Sequence, residues 1–517
     1  MNRKEYLVRA QTPSFVVSVK LLLPEQIQNH LEKSFHIANN AYNEALGFGL
    51  RRFKAMKQNP SYQELLELRR ELLAKSEKKQ ETKEFKTQKK EIDLALAEIR
   101  KAYSLTEYSL DAHLGKQRRK SGSVYQHLNS GELQVVAKHA FKTLEKVLFY
   151  QIEPHKVRFR SKYDADMSFR NRVNSTGTRL VESDKTGIAY RLYIHKASTF
   201  VDIPVKAFNT YQQMSLLRSN RIKYVQMIRK TIRGKKVYTL QIVCEGTPPT
   251  KVSRGQGVVG IDPGISTVAY AAPNKVALVD LVPRNITQKE KLLKVLDRQI
   301  ERSRRANNPT CFNEDGTIKK GCRFKRLSNR ALRLVNRRRK AYRSLSEERK
   351  KLQGQLINHL VSTASIIKME ELNVKGLQKR AKDIRINPKT NRPFSKKRFG
   401  KSIFRAAPSA FREALKTRAA QLGIKIIMIL PKDVKPSQYN HILQTFEKKP
   451  LSTRIFDLSP EWTGLQRDLY SAFLIGHIEN GHYQETTLNQ DFPGFYQLMK
   501  DFLQQTPKTS RLAWYFS

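Results

Sequence analysis

Cysteine is scarce in this chain: 517 residues contain three, Cys244, Cys311 and Cys322, and no CxxC pair. That excludes a disulfide framework and a four-cysteine zinc site. Cys311 and Cys322 flank a polar loop and could be neighbours, but they read as ordinary loop thiols, a usage that suits a reducing cytoplasm. Long apolar runs are lacking as well. None approaches the roughly 20 residues that a bilayer-spanning helix needs, so no membrane partner is expected. Residues 1–11 are charged and hold no apolar stretch, unlike a secretory signal. Acidic residues are few: 46 Asp and Glu stand against 98 Lys and Arg, a net charge of +52 and a pI near 10.3. B-DNA carries one phosphate per ~1.7 Å of axis, so this excess matches roughly 26 base pairs of backbone. The charge runs through the whole chain and does not form one face of one helix. Nucleic acid is the partner it implies.

The length suggests two to four domains. Residues 14–23 alternate as a strand, and from Pro24 the period becomes helical, with Ile27, Leu31, Phe35, Ala38, Tyr42, Leu46 and Leu50 on one face. Ser61 and Glu64 form a capping-box pattern after Pro60. Residues 76–101 read as a charged helix, 116–120 as a basic loop and 131–151 as a further helix. Strand-like text follows at 157–160, 189–194 and 200–203, then a hairpin of 224–229 with 236–244 around Arg233-Gly234-Lys235. This predicts a small β-barrel completed by the first strand, with the helices inserted. Arg158 and Arg160, interleaved with Phe159, suit a nucleic-acid surface.

A linker at 247–256 leads to three short strands over 257–281 and two long helices, about 287–306 and 324–363. The second helix carries Arg330, Arg333, Arg337, Arg338, Arg339 and Arg343, and that density favours tracking of a phosphate backbone. A buried strand at 366–369, a basic loop at 375–405, a helix at 406–421 and a strand at 424–430 complete the pattern.

Against this basic background, acids that end apolar strands stand out. Asp262 ends Val258-Val259-Gly260-Ile261 and precedes a Pro-Gly turn, and Glu370 ends Ile366-Ile367-Lys368-Met369. Asp468 opens an amphipathic helix with Leu469, Ala472, Phe473 and Ile475. A two-metal nuclease needs carboxylates converging on ions ~3.5–4 Å apart, and hard oxygen ligands suit Mg²⁺ or Mn²⁺.

These segments resemble the split RuvC motifs, of RNase H-like fold, of transposon-encoded TnpB proteins and compact type V CRISPR effectors. Gly260-Ile261-Asp262-Pro263-Gly264 is similar to the first motif, Met369-Glu370-Glu371-Leu372-Asn373-Val374 to the second and Arg467-Asp468-Leu469-Tyr470-Ser471-Ala472 to the third, with Tyr470 where Asn is common. Ala41-Tyr42-Asn43-Glu44-Ala45-Leu46 resembles the family's N-terminal helix. Arg158-Phe159-Arg160 with Ser168-Phe169-Arg170 resembles its barrel entry. The stretch from Ser437-Gln438-Tyr439-Asn440-His441 to Leu451-Ser452-Thr453-Arg454 stands where many members carry a CxxC zinc knuckle, here without the cysteines.

The resemblance implies a multidomain α+β protein. Its parts would be the first barrel strand (1–23), a helical recognition insertion (24–151), the rest of the barrel (152–250), a RuvC-like nuclease domain (251–430), a small zinc-free insert that binds target nucleic acid (431–464), and the third motif with C-terminal helices (465–517). It implies an RNA-guided DNA endonuclease of the prokaryotic cytoplasm, with Asp262, Glu370 and Asp468 holding Mg²⁺. Guide RNA and target DNA would be its partners, and base pairing would supply the specificity. The rivals are a nuclease-inactive RNA-guided binder, a transposase and a structural RNA-binding protein. The last two leave the acids unexplained or lack a His-hydrophobic-His pair with a downstream Tyr.

Overall fold

The computed structural model describes residues 12–76, 83–149, 151–161, 166–197, 200–208, 211–248, 252–322, 324, 327–379, 386, 399–450 and 453–505. The expectation for residues 1–11 and most of that for the basic loop at 375–405 lie outside them. The protein is mixed α and β, and the chain divides into two compact units, Met1–Pro248 and Pro249–Ser517.

In the first unit, strand β1 (Ser14–Leu21) buries every second residue, as its alternation requires. Helix α1 (Glu25–Met56) buries the predicted face from Ile27 to Leu46 and extends it to Phe53 and Met56. Asn59 accepts from the Tyr62 amide at 3.2 Å. The start of α2 (Pro60–Ser76) is thus held by Asn59 and not by the Ser61 box, because Pro60 already occupies the first helical position. Helix α3 (Lys83–Ala102) follows. The stretch 116–120, expected as a loop, is instead the last turn of α4 (Glu107–Lys120). Thr106 caps that helix, and buried Leu110 and Leu114 anchor it. After α5 (Gly122–His127), helix α6 (Ser130–Leu148) starts with a capping box of Asn129 and Glu132 and packs along α1.

The strands of this unit are β2 (Asp166–Arg170), β3 (Arg179–Glu182), β4 (Ile188–Tyr193), β5 (Val201–Pro204), β6 (Ile222–Ile232) and β7 (Lys235–Glu245), with helix α7 (Tyr211–Ser219) before β6. The expected β6–β7 hairpin forms, with Arg233 and Gly234 both at positive φ in its turn. The barrel does not. One sheet has the order β1-β7-β6-β2, and β3-β4-β5 pair only among themselves. Closure needs the outer strands of a sheet to pair, and here β1 and β2 remain at opposite edges. Residues 157–160 are not a strand. Arg158 is exposed, while Arg160 lies over the Tyr42 ring at 3.8 Å and exchanges hydrogen bonds with Asn43.

The second unit is built on a five-stranded sheet of order β10-β9-β8-β11-β12. Its strands are β8 (Gly257–Pro263), β9 (Thr267–Ala272), β10 (Lys275–Asp280), β11 (Ala364–Glu370) and β12 (Lys425–Ile429). The first three run antiparallel to one another, whereas β11 is parallel to both β8 and β12. The long helices α8 (Ile286–Asn307) and α9 (Asn329–Thr363) pack on each other. The loop joining them corrects the reading of its thiols: Cys311 and Cys322 form a disulfide, Cα to Cα 5.5 Å. A bridge between Phe312 and Ile318 folds the loop back and brings the two together. Helix α10 (Pro408–Gln421) precedes β12. Short strand pairs follow, β13 (Tyr439–Asn440) with β14 (Thr445–Phe446) and β15 (Ile455–Phe456) with β16 (Leu465–Gln466). The unit closes with α11 (Arg467–Gly476), the hairpin of β17 (Ile478–Glu479) and β18 (His482–Tyr483), and α12 (Glu485–Gln505). No described helix is long and apolar enough to cross a membrane.

Helix α11 lies directly on the sheet. A Cβ placed on Gly260 would stand 2.0 Å from the Ala472 carbonyl oxygen and 2.5 Å from the Gly476 nitrogen. Both are backbone atoms and neither can rotate away. Gly260→Ala is therefore expected to cost about 3 kcal/mol in urea unfolding. Gly354→Ala, whose Cβ would meet nothing within 4 Å, is its control and should be neutral or slightly stabilising.

Candidate active site

The three predicted acids share one face of the sheet. Ile261 pairs with Met369 across the parallel β8–β11 ladder, so Asp262 and Glu370 stand side by side at the C-terminal ends of adjacent strands. Side chains alternate along a strand, so Asp262 points to the same face as Gly260, where α11 sits. Asp468 lies in the first turn of α11, four residues before Ala472, and hence on the same helix face. Two residues of strand span about 6.6 Å and four of helix about 6 Å. The contact at Gly260 thus carries Asp468 back over Asp262.

Electrostatics report the same convergence. Burial pushes the half-buried Asp262 carboxyl well above its ordinary range, and the charges of Glu370 and Asp468 push it further, against the pull of Arg467 and Arg454. Burial raises Glu370 as well. Asp468 is held by two guanidinium groups. Arg467 donates to its Oδ1 from Nε at 3.2 Å and Nη2 at 3.0 Å. Arg454 donates from Nη1 to Oδ2 at 3.1 Å and to Oδ1 at 3.5 Å. Among the described residues, no three His, Cys, Asp or Glu side chains are already grouped so as to hold a metal ion. The donor set nonetheless fits a hard divalent cation: every candidate ligand is a carboxylate oxygen, and the repulsion that raises Asp262 is what such a cation would relieve.

Among the described residues, none of the predicted arginines of α9 forms an ion pair with Asp262, Glu370 or Asp468. Arg330, Arg333 and Arg337 are exposed on α9, spaced three and four apart and so on one face. Arg339 is exposed and Arg343 half-buried on the same helix, and Arg338 is paired with Asp297 at 2.8 Å. Sequence reasoning assigned no role to Arg454 or Arg467, although Arg467 adjoins Asp468 and Arg454 lies in a quoted motif. It also passed over Lys368, the strand partner of Gly260, which is buried and pairs with Glu479 at 3.7 Å. Burial lowers its pKa, which Glu479 partly restores.

No known sequence family and no curated protein matches the chain. Solved structures do align. A Cas12f1–sgRNA–target DNA complex gives a TM-score of 0.44 at 12% identity, over 90% of this chain and 99% of that one. A CRISPR-Cas12f ternary complex gives 0.27 at 11%, over 92% and 85%. A Cas12i1 R-loop complex after target DNA cleavage gives 0.27 at 10%, over 93% and 65%. The structural neighbours of this chain are thus type V CRISPR effectors, Cas12f1 and Cas12i.

An acid cluster that is only partly compensated opposes folding. Asp262 has a raised folded-state pKa, so its cost is absent at low pH and grows as pH rises from the unfolded value through the folded one. Asp262→Asn removes that cost. At pH 7 without divalent metal the variant should be more stable than the parent by about 1 kcal/mol, with the gap closing toward pH 3. Thermal melts across that range would show a constant gap if the charge is irrelevant.

Proposed function

We propose that the chain is an RNA-guided DNA endonuclease that hydrolyses phosphodiester bonds at Asp262, Glu370 and Asp468 with Mg²⁺, for which Mn²⁺ can substitute. The observation that supports this reading is the placement of Asp262 and Glu370 at adjacent strand ends, with Asp468 close enough for its charge to raise the Asp262 carboxyl, in a chain of charge +52. Acids gathered against so basic a background bind cations, and the background binds phosphate. The mixed sheet with β11 parallel to β8, and α11 laid across it, is consistent with a RuvC-like nuclease domain.

Bound divalent cations would supply an activated water and stabilise charge on the leaving oxygen. The chain's own residues do the rest. Asp262 and Glu370 offer oxygen donors from adjacent strand ends, which rigid pairing holds in place. Asp468 closes the set from the helix above, its carboxylate oriented by Arg467. The exposed arginines of α9 suit phosphate contacts that give affinity without sequence preference. Guide RNA and target DNA are the partners this charge suits, with base pairing supplying the specificity.

Two experiments test the reading. Protein purified with its co-bound RNA, whose sequence defines the guide, should cut matching DNA only when Mg²⁺ or Mn²⁺ is present. Asp262→Ala, Glu370→Ala and Asp468→Ala should each abolish cutting and keep guide-dependent binding. Metal-dependent binding with no cutting by the parent protein would favour the nuclease-inactive binder instead. Separately, replacing Arg330, Arg333 and Arg337 together by Ala should lower the slope of log affinity against log salt by about 2 to 3. An unchanged slope would remove α9 from the nucleic-acid surface.

A further inference from the structure

The segment 436–466 that precedes Asp468 packs into the core of the second unit through Tyr439, Leu458 and Leu465. It contains no cysteine, and its described residues form two strand pairs of two residues each. Three tyrosine hydroxyls from the elements that follow add polar ties. The Tyr470 hydroxyl accepts from the His441 amide at 3.2 Å and lies 2.8 Å from His441 Nδ1. The amide donates to the hydroxyl, and Nδ1 shares a second hydrogen bond with the same oxygen. Tyr496 bonds both the Thr463 amide at 3.2 Å and its carbonyl at 2.8 Å. Tyr483 donates to the Val434 carbonyl at 2.7 Å, just before the segment, and stacks on Tyr439 with centroids 4.0 Å apart.

Tyr470 differs from the other two in what lies next to it. It stands two residues after Asp468 on α11, and its ring meets Phe456 edge-on at 5.7 Å. Phe456 belongs to β15, which pairs with β16 through Ile455 to Gln466 and Phe456 to Leu465. Arg454 immediately precedes that strand, and its carbonyl accepts from the Arg467 amide at 2.9 Å. One side chain therefore ties the fold of the segment to the place where Arg454 meets Asp468. The two arginines on that carboxylate are not equivalent: the Arg467 side chain is 11% exposed and that of Arg454 is 60% exposed. Arg454 is the one that can leave.

We propose that Tyr470, through its hydroxyl on His441 and its ring against Phe456, is a positioning residue that holds Arg454 on Asp468 until a divalent cation takes the carboxylate. This rests on the reading of Asp468 as a cation ligand. Arg454 then competes with the metal, and Tyr470 sets how well it competes.

The test is a double-mutant cycle on metal binding, independent of cutting. Mn²⁺ binding to the full-length protein, freed of RNA, is followed by electron paramagnetic resonance. Arg454→Ala should lower half-saturating Mn²⁺ about two- to fivefold, the range expected when an exposed ion pair is removed. Tyr470→Phe, which keeps the ring and loses the hydroxyl, should shift it in the same direction. The double variant should match Arg454→Ala alone. Hydrogen exchange of the His441 amide should rise about five- to tenfold in Tyr470→Phe. Additive shifts, or a His441 amide that exchanges as before, overturn the proposal. Asp468→Asn separates the two levels. If it leaves Mn²⁺ binding intact, the cation-ligand reading itself fails. If it removes binding while Arg454→Ala has no effect, only the positioning role fails. Should Tyr470→Phe not fold, Phe456→Leu, which removes the ring contact and keeps the hydroxyl on His441, runs the same cycle.

Discussion

The contact of two backbones at Gly260 is the constraint on which the candidate site depends. Side chains ordinarily space a helix from the sheet it packs on, but here α11 comes down until its Ala472 carbonyl occupies the space a β-carbon would need. That closeness removes freedom. The helix cannot slide without losing the one position that admits it, nor rotate without driving Leu469, Ala472 or Phe473 out of the core they fill. Asp468 is therefore fixed relative to Asp262 by packing alone. Apolar burial elsewhere along the same helix sets Asp468 beside an Asp262 whose carboxyl its charge opposes.

That arrangement has an electrostatic logic. Burying acids costs free energy: burial raises the carboxyls of Asp262 and Glu370, and at Asp262 the charges of Glu370 and Asp468 add to it. A protein could lower the cost by surrounding the cluster with cations, and this chain has many to spare. It uses two, both on Asp468. Lys368, on the same face of β11, is instead turned to Glu479. Among the described residues neither Asp262 nor Glu370 has an ion pair of its own, although the same two arginines pull on Asp262 from Asp468. A site whose charge is only partly compensated keeps its affinity for an external cation, and one fully paired would lose it.

Much of this was legible in the sequence. The strand-ending acids and the helix-borne Asp468 could be read from apolar runs that stop at a carboxylate, and the five strands of the second unit's main sheet from short apolar runs. What could not be read were features set by distant partners. Whether seven strands close into a barrel depends on which edges meet, and local alternation at 157–160 says nothing of an Arg160 already engaged by Tyr42 and Asn43. The turn of α4 at 116–120 read as a loop because its charges hide the two buried leucines one and two turns earlier. Cys311 and Cys322 are eleven residues apart, and only the fold of the loop decides that they bond. Arg454 lies 14 residues before Asp468 and comes beside it only through the β15–β16 pairing.

The two arginines on Asp468 also show how one carboxylate can be both fixed and exchangeable. An ion pair with a buried guanidinium is costly to break, because the charge left behind has no solvent. The Arg467 pair is of that kind, and it orients the carboxylate whatever else binds. An ion pair with an exposed guanidinium is worth little, because water replaces the partner at small cost. The Arg454 pair is of that kind. Asp468 thus keeps its direction through Arg467 and gives up only Arg454 when a stronger charge arrives. The exchange trades one cation for another and leaves the packing of α11 on β8 untouched.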